Sequence, residues 1–321
     1  MTQEHADARQ AEGRPGAMEP SVLRTFDGAQ LVWNGFAPEG GRPRAVLAVV
    51  HGFGEHSGRY RFLVDALTDR GYALATFDLR GHGRSPGQRG YIERFSDYLD
   101  DTKAFLRVVR QVWPSEPLVL LGHSMGGLIA ASYAERDQAA AEADHGPALD
   151  GLVLSSPFLG LKMKVSPLTL WSARILSRLA PRHSMSNGLR PEDLSHDPAV
   201  VAAARQDPLS HKAATARWAT EVFEAQRAAL THTGDLRLPL LLMYAGDDQI
   251  ADAAVTREFG EQVAAAGATV IRYDGYYHEI FNEIGRDRVF AELGDWLDRL
   301  TATSGSSAGG TAAGVVSGVR G

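Results

Sequence analysis

Ser124 lies in Gly122-His123-Ser124-Met125-Gly126-Gly127, directly after the apolar run Pro117 to Leu121. A Leu- and Val-rich run closed by Gly-x-Ser-x-Gly reads as a buried strand turning sharply into a helix, a nucleophile elbow with a serine hydroxyl at its tip. The flanking glycines let strand and helix approach without Cβ clashes, while the serine takes a strained backbone conformation. Met125 then opens the helix and presents its backbone N–H toward a developing oxyanion. The other parts that such a serine needs lie in three further loops. His51-Gly52-Phe53-Gly54-Glu55-His56 follows the run Val46–Val50. Its glycines permit a tight loop with inward N–H groups, which makes the Phe53 N–H the second oxyanion donor. Ala245-Gly246-Asp247-Asp248-Gln249-Ile250 offers a carboxylate that can orient a histidine and stabilise its imidazolium. Side chains on neighbouring residues point different ways, so only one of Asp247 and Asp248 can serve. Asp252 is a third candidate that reads better as a helix N-cap.

Asp274-Gly275-Tyr276-Tyr277-His278-Glu279 places a histidine in the loop after the last strand, where it can reach back to the serine proton. Four more of the 11 histidines, His51, His56, His82 and His123, sit in strand-end loops and compete for that role. Only His278 completes the chain order Ser, Asp, His that accompanies an elbow on an α/β sheet. Asp78 to Ser85, for all its charge, reads as a structural pin for a long loop, with Gly81 and Gly83 in unusual dihedrals.

The elements that must position these loops alternate along the chain. Ser21–Phe26 and Gln30–Phe36 flank Asp27-Gly28, a hairpin turn signal. Strands follow at Arg44–Val50, Tyr72–Phe77, Leu118–Leu121, Leu152–Ser155, Leu240–Tyr244 and Thr269–Tyr273. Helices are expected over Arg59–Arg70, Phe95–Val112, Ser124–Asp137, Asp252–Ala266 and Ile284–Leu300, with a polar loop over Ala139–Pro147. This rhythm predicts an α/β fold with a mostly parallel sheet covered by helices on both faces. In such sheets chemistry gathers at the carboxyl ends of the strands, where all four loops fall.

With those residues in place, the chain resembles the α/β-hydrolase superfamily, and within it the monoacylglycerol lipase and lysophospholipase branch of serine-aminopeptidase-like hydrolases. The resemblance rests on His51-Gly-Phe-Gly-Glu-His-Ser-Gly-Arg-Tyr60, Gly81-His-Gly-Arg-Ser85, Gly122-His-Ser-Met-Gly126, Asp207-Pro208-Leu209 and Tyr277-His278-Glu279. It spans His51 to Glu279, nearly all of the expected folded region. It implies Ser124 as nucleophile, His278 as base, Phe53 and Met125 as oxyanion donors, and Asp248 as the acid, because Asp248-Gln249-Ile250 matches the family's acid pattern. The family's position of Phe53 is often smaller. The implied reaction is hydrolysis of a monoacylglycerol or other single-chain acyl ester through an acyl-enzyme, without metal or organic cofactor. Lysophospholipids and other esters are the alternative substrates. A peptidase is a further reading by membership, with Glu55 the candidate partner for a free amino terminus. Asp in place of Ser124 would be needed for an epoxide hydrolase or dehalogenase. From a different class, a noncatalytic binding protein on this fold could keep the pocket, which the intact Ser, Asp and His disfavour.

The 321 residues carry 44% apolar and 22% charged side chains, as in ordinary globular chains. A net charge of −6 gives no support for nucleic-acid binding. The lack of cysteine excludes disulfides, zinc–thiolate sites and a cysteine nucleophile. No segment offers 18 uninterrupted apolar residues, and Met1 to Pro20 lacks a signal-peptide core, so the expected location is the cytoplasm, with a peripheral position at membranes as the alternative. Residues 1–20 are expected to be a disordered segment and 301–321 a flexible tail. Residues 21–157 and 239–300 form the expected core, and 158–238, which break the strand–helix rhythm, a helical cap. From Phe158 to Pro191 that cap has no Asp or Glu. Lys162, Lys164, Arg174, Arg178, Arg182 and Arg190 alternate there with apolar residues such as Trp171, Ile175, Leu176 and Leu179. Two compatible readings follow: the apolar side chains pack down over the site, or residues 158–191 touch a lipid surface transiently.

Overall fold

The computed structural model describes residues 16–139, 145–163 and 165–307. Ten strands and eight α-helices follow in chain order among the described residues. They are β1 Ser21–Arg24, β2 Gln30–Phe36, β3 Val46–Val50, α1 Arg61–Asp69, β4 Ala73–Phe77, α2 Phe95–Val112, β5 Leu118–His123, α3 Met125–Ala139 and β6 Gly151–Ser155. The chain continues through α4 Pro167–Leu179, β7 Ser184–Ser186, α5 Pro198–Gln206, β8 Ala213–Thr215, α6 Ala216–Thr231, β9 Leu240–Ala245, α7 Ala253–Ala265, β10 Thr269–Tyr273 and α8 Arg286–Ser307.

Eight strands form one sheet in the order β1-β2-β4-β3-β5-β6-β9-β10. β1 and β2 pair antiparallel, β2 is antiparallel to β4, and the rest run parallel. The unbroken apolar runs have a direct cause: β3, β4, β5 and β6 are buried on both faces. Alternate residues serve alternate cores. Val46, Ala48 and Val50 join a cluster with Phe105, Leu128 and Phe259 of α2, α3 and α7. Leu47 and Val49 join Leu63, Leu67, Leu293 and Leu297 of α1 and α8 on the opposite face.

Between β6 and β9 the chain leaves this pattern. α4 packs on α6, and α6 packs on α3 and α2. A two-stranded antiparallel ladder, Ser184–Ser186 against Ala213–Thr215, joins two interior stretches of the segment. The sequence reading missed that ladder because three-residue strands show no periodicity. α4 leaves several apolar side chains in solvent: Leu168 is 72%, Trp171 61% and Leu179 80% exposed, while Leu176 is half-buried and Ser177 buried. Leu168, Trp171 and Leu179 are therefore not packed down against the protein.

Two boundaries depart from the sequence reading. Residues 16–18, expected to be disordered with the rest of 1–20, pair with the end of β2. Met18 N–H donates to Gly35 O at 2.8 Å and Ala37 N–H to Gly16 O at 2.9 Å. Residues 301–307, expected to be tail, continue α8, and the Thr301 hydroxyl donates to Leu297 O at 2.9 Å. Once a helix is nucleated each added residue closes another hydrogen bond, so weak formers can be carried along. The rest of both terminal expectations, 1–15 and 308–321, and part of the expected loop, 140–144, lie outside the described residues.

Candidate active site

The elbow is held by close backbone approach. Ser124 has φ 54°, in the left-handed region that a side chain rarely takes. A Cβ on Gly122 would lie 2.1 Å from Gly126 O, and one on Gly126 would lie 2.1 Å from Val50 O. Only glycine at both positions lets α3 start against β3 and β5. Ser124 N–H donates to Ser155 O at 3.0 Å, which fixes the turn to β6.

β5, β9 and β10 run in the same direction in one sheet, so they end at the same edge, and the loops that follow them bring three side chains into line. His278 Nε2 is 2.7 Å from Ser124 Oγ, and His278 Nδ1 is 2.7 Å from Asp248 Oδ2. All three residues are buried. The other oxygen, Asp248 Oδ1, accepts from Ile250 N–H at 2.8 Å and Ala251 N–H at 2.9 Å. The neighbouring Asp247 points elsewhere and accepts from Gly275 N–H at 2.8 Å, tying the acid loop to the histidine loop. Asp252 accepts from Ala254 N–H at 2.9 Å as the N-cap of α7. Burial works against the protonated form of His278, but the Asp248 charge and hydrogen bond, with Glu279 and Glu55 behind them, outweigh it. The His278 pKa is raised.

The competing histidines have other partners. His51 Nε2 accepts from Leu79 N–H at 3.0 Å, and burial holds the ring down to about 4. His123 lies 3.1 Å from Ser155 Oγ, and burial together with the nearby His278 holds it down to about 4. His82 faces Arg80 O and His56 faces Asp207. Asp78 accepts from Ser57 N–H and Arg84 N–H, both at 2.8 Å, which fits the expected structural pin.

Met125 opens α3, so its N–H belongs to the first helical turn, which has no intrahelical acceptor. Gly52 sits so close to the nucleophile that a Cβ there would lie 3.0 Å from Ser124 Cβ. Phe53 follows it, its ring centroid 3.9 Å from that of Trp218.

Two features escaped the sequence reading. Arg59 is buried between Glu279, at 2.5 Å, and Glu55, at 3.3 Å. Burial raises the Glu279 carboxyl, but the Arg59 charge and hydrogen bond, helped by His123, carry it below its ordinary value. All three residues lie inside motifs that the sequence reading singled out; Glu55 and Arg59 are four residues apart, but the Arg59–Glu279 pairing spans 220 residues and leaves no local trace. Lys162 Nζ donates to Asp248 O at 2.6 Å, and Leu161 bridges Ala251, so the segment after β6 braces the acid loop.

A cavity of about 870 Å³ opens beside Ser124 and His278. Phe158, Leu161, Leu176, Leu194 and Ile250 are among its mostly apolar lining, and Trp171, Ile175 and Leu179 stand at α4. Among the described residues no cluster of His, Asp and Glu could hold a metal ion. No described helix is long and apolar enough to cross a membrane.

A mostly parallel eight-stranded sheet, with a serine elbow after its fifth strand, defines an α/β-hydrolase, and this one is a carboxylic-ester hydrolase. The chain belongs to the serine aminopeptidase, S33 family, whose model matches residues 41–285. It is 34% identical over 259 residues to phospholipase YtpA of Bacillus subtilis, covering 80% of this chain and 96% of that one. It is 32% identical over 276 residues to a monoacylglycerol lipase of Mycolicibacterium smegmatis, covering 84% of this chain and 93% of the relative. Among solved structures it is similar to the monoacylglycerol lipase of Paleococcus ferrophilus. That match has 30% identity and a TM-score of 0.72, over 84% of this chain and 99% of the other.

Proposed function

We propose that this chain hydrolyses long-chain monoacylglycerols. The observation that carries the reading is the cavity of about 870 Å³, mostly apolar, that opens at the Ser124 hydroxyl. It lies in the upper part of the range for ligand pockets, as a long acyl chain requires. Each methylene taken from water there contributes about 0.8 kcal/mol.

Ser124 Oγ attacks the ester carbonyl while His278 Nε2 takes its proton. Asp248 orients the ring and stabilises the imidazolium. The Phe53 and Met125 N–H groups hold the oxyanion of the tetrahedral intermediate. His278 returns the proton to the departing glycerol oxygen, and the acyl group stays on Ser124. Water, deprotonated by His278, then attacks the acyl-enzyme; collapse releases fatty acid and restores the serine. Residues 21–157 and 239–300 form the hydrolase core and 158–238 the cap that walls the acyl cavity. Glu55, the candidate partner for a free amino terminus, is occupied by Gly52 N–H, the Tyr60 hydroxyl and Arg59, which weighs against peptide substrates.

The test is fatty-acid release from long-chain monoacylglycerol beside a lysophospholipid of equal chain length, with Ser124→Ala as the blank. Faster release from monoacylglycerol, lost in the blank, is expected. Faster release from the lysophospholipid would favour the second reading, which the resemblance to a phospholipase supports.

Protonated His278 cannot accept the serine proton, so kcat/KM falls as pH drops through the His278 pKa. With that pKa raised, the acid limb is expected above the ordinary histidine value of about 6.5. A pH–rate profile with its limb below that value would count against His278 as the base.

The cap is also proposed to touch anionic lipid surfaces. Leu168, Trp171 and Leu179 stand out from α4 with Arg174 and Arg178 exposed beside them, the composition of an interfacial helix. Arg174→Glu with Arg178→Glu is expected to weaken co-sedimentation with phosphatidylglycerol vesicles, at low salt most of all. Unaltered binding would remove the idea.

A further inference from the structure

The loop that carries Phe53 is held from two sides. On the core side the Glu55 carboxylate accepts from Gly52 N–H and from the Tyr60 hydroxyl. On the other side it is met by residues 207–218, which belong to the segment between β6 and β9. His211 N–H donates to Gly54 O at 2.9 Å. Gly54 has φ 76°, and a Cβ there would lie 2.5 Å from His211 O, so the two backbones touch. The Phe53 ring lies against Trp218, with His211 edge-on at 5.3 Å. Both neighbours of Phe53 are thus pinned, Gly52 by the core and Gly54 by the inserted segment.

One side chain organises the second contact. Asp207 Oδ2 is 2.8 Å from His56 Nε2 and accepts from the Ser210 hydroxyl at 2.8 Å. Its Oδ1 accepts from Leu209 N–H at 2.9 Å. His56 Nδ1 accepts from Gly58 N–H at 3.2 Å and caps the short turn Ser57–Tyr60, so Nε2 is the nitrogen that donates. The carboxylate shapes the turn 207–211 on one side and holds the end of the Phe53 loop on the other. Its hydrogen bonds outweigh its burial, so the carboxyl stays well below the usual carboxylate range.

We infer that Asp207 is a positioning residue for the oxyanion donor, acting through His56 and the His211–Gly54 contact to aim the Phe53 N–H at the developing charge. It touches no reacting atom. The inference rests on the reading of Phe53 as an oxyanion donor, and it makes the inserted segment part of the catalytic apparatus rather than only a wall for the acyl chain.

Asp207→Asn tests it with almost no change of shape. Oδ1 can keep Leu209 N–H, while the new amide N–H groups face the donor His56 Nε2–H and break that link. Removing an oxyanion donor outright costs about 10²- to 10³-fold in kcat, so misaiming one is expected to cost about 10- to 100-fold. KM is expected to stay within about two-fold, because the interaction is made only in the transition state. Affinity for a long-chain trifluoromethyl ketone, whose adduct places an oxyanion at these donors, should fall in step with kcat. Asp207→Ala should do the same. Asp197→Ala is the stability control, since it removes an N-cap and the Arg286 ion pair from the same segment and should leave kcat within about two-fold. Asp207 variants with unchanged kcat would overturn the inference, as would a fall in kcat without loss of ketone affinity or one equal to that of Asp197→Ala. Hydrolysis surviving in Ser124→Ala would overturn the serine mechanism itself, and the inference with it. The two failures are therefore distinct.

Discussion

Asp248→Asn is expected to lower kcat about 10⁴-fold, the cost of a triad acid turned to amide, while Asp247→Asn stays within about ten-fold of the parent. Asp248 Oδ1 is fixed by two backbone donors, Ile250 N–H and Ala251 N–H. An asparagine must leave its carbonyl oxygen there, which turns its NH₂ toward His278 Nδ1. That nitrogen then has to accept, so the proton moves to Nε2, the atom 2.7 Å from Ser124 Oγ. A base already protonated at the working nitrogen cannot take the serine proton. Asp247 holds only Gly275 N–H, and its amide would loosen the loop without changing the tautomer. Steady-state kinetics on a soluble ester, with folding checked by circular dichroism, decides the matter. Equal losses in the two variants would mean that the acid has been misassigned.

The second large effect falls on stability. Arg59→Met leaves Glu55 and Glu279 buried without their cation, and stranding buried charge costs about 3–5 kcal/mol. The pH dependence has a definite sign. In the parent, Glu279 is held below its ordinary value, so its contribution is present at neutral pH and lost as pH falls through that lowered pKa. Without Arg59 the burial that opposes ionisation prevails, and the variant relieves its penalty by taking up a proton. The difference in urea-unfolding free energy should be largest near pH 7 and shrink toward about pH 5. A difference that stays constant over that interval would show that lost packing, not stranded charge, is responsible.

The sheet was legible because β3, β4, β5 and β6 are covered on both faces and therefore read as unbroken apolar runs. The strand-end loops followed from the topology of parallel sheets, and chain order singled out His278. Physics alone did not separate Asp247 from Asp248, since alternation along a loop has no fixed phase; the family pattern was needed. The Arg59–Glu279 pairing was illegible because its partners are close only after the fold has closed, and the i,i+4 spacing of Glu55 and Arg59 does not show it. The exposure of α4 was hidden for a related reason. An amphipathic pattern shows that a helix has an apolar face, and says nothing of whether protein, lipid or water meets it.

The exposed face of α4 has an optical consequence. Of five tryptophans, Trp33, Trp113, Trp218 and Trp296 are buried at 6–7% exposure, while Trp171 stands 61% exposed at the cavity. An ionic quencher in solution therefore reaches one indole and leaves the other four bright. The fraction of emission that iodide can extinguish belongs to that single ring, and shielding of it reports whatever comes to rest on α4 without any label being attached.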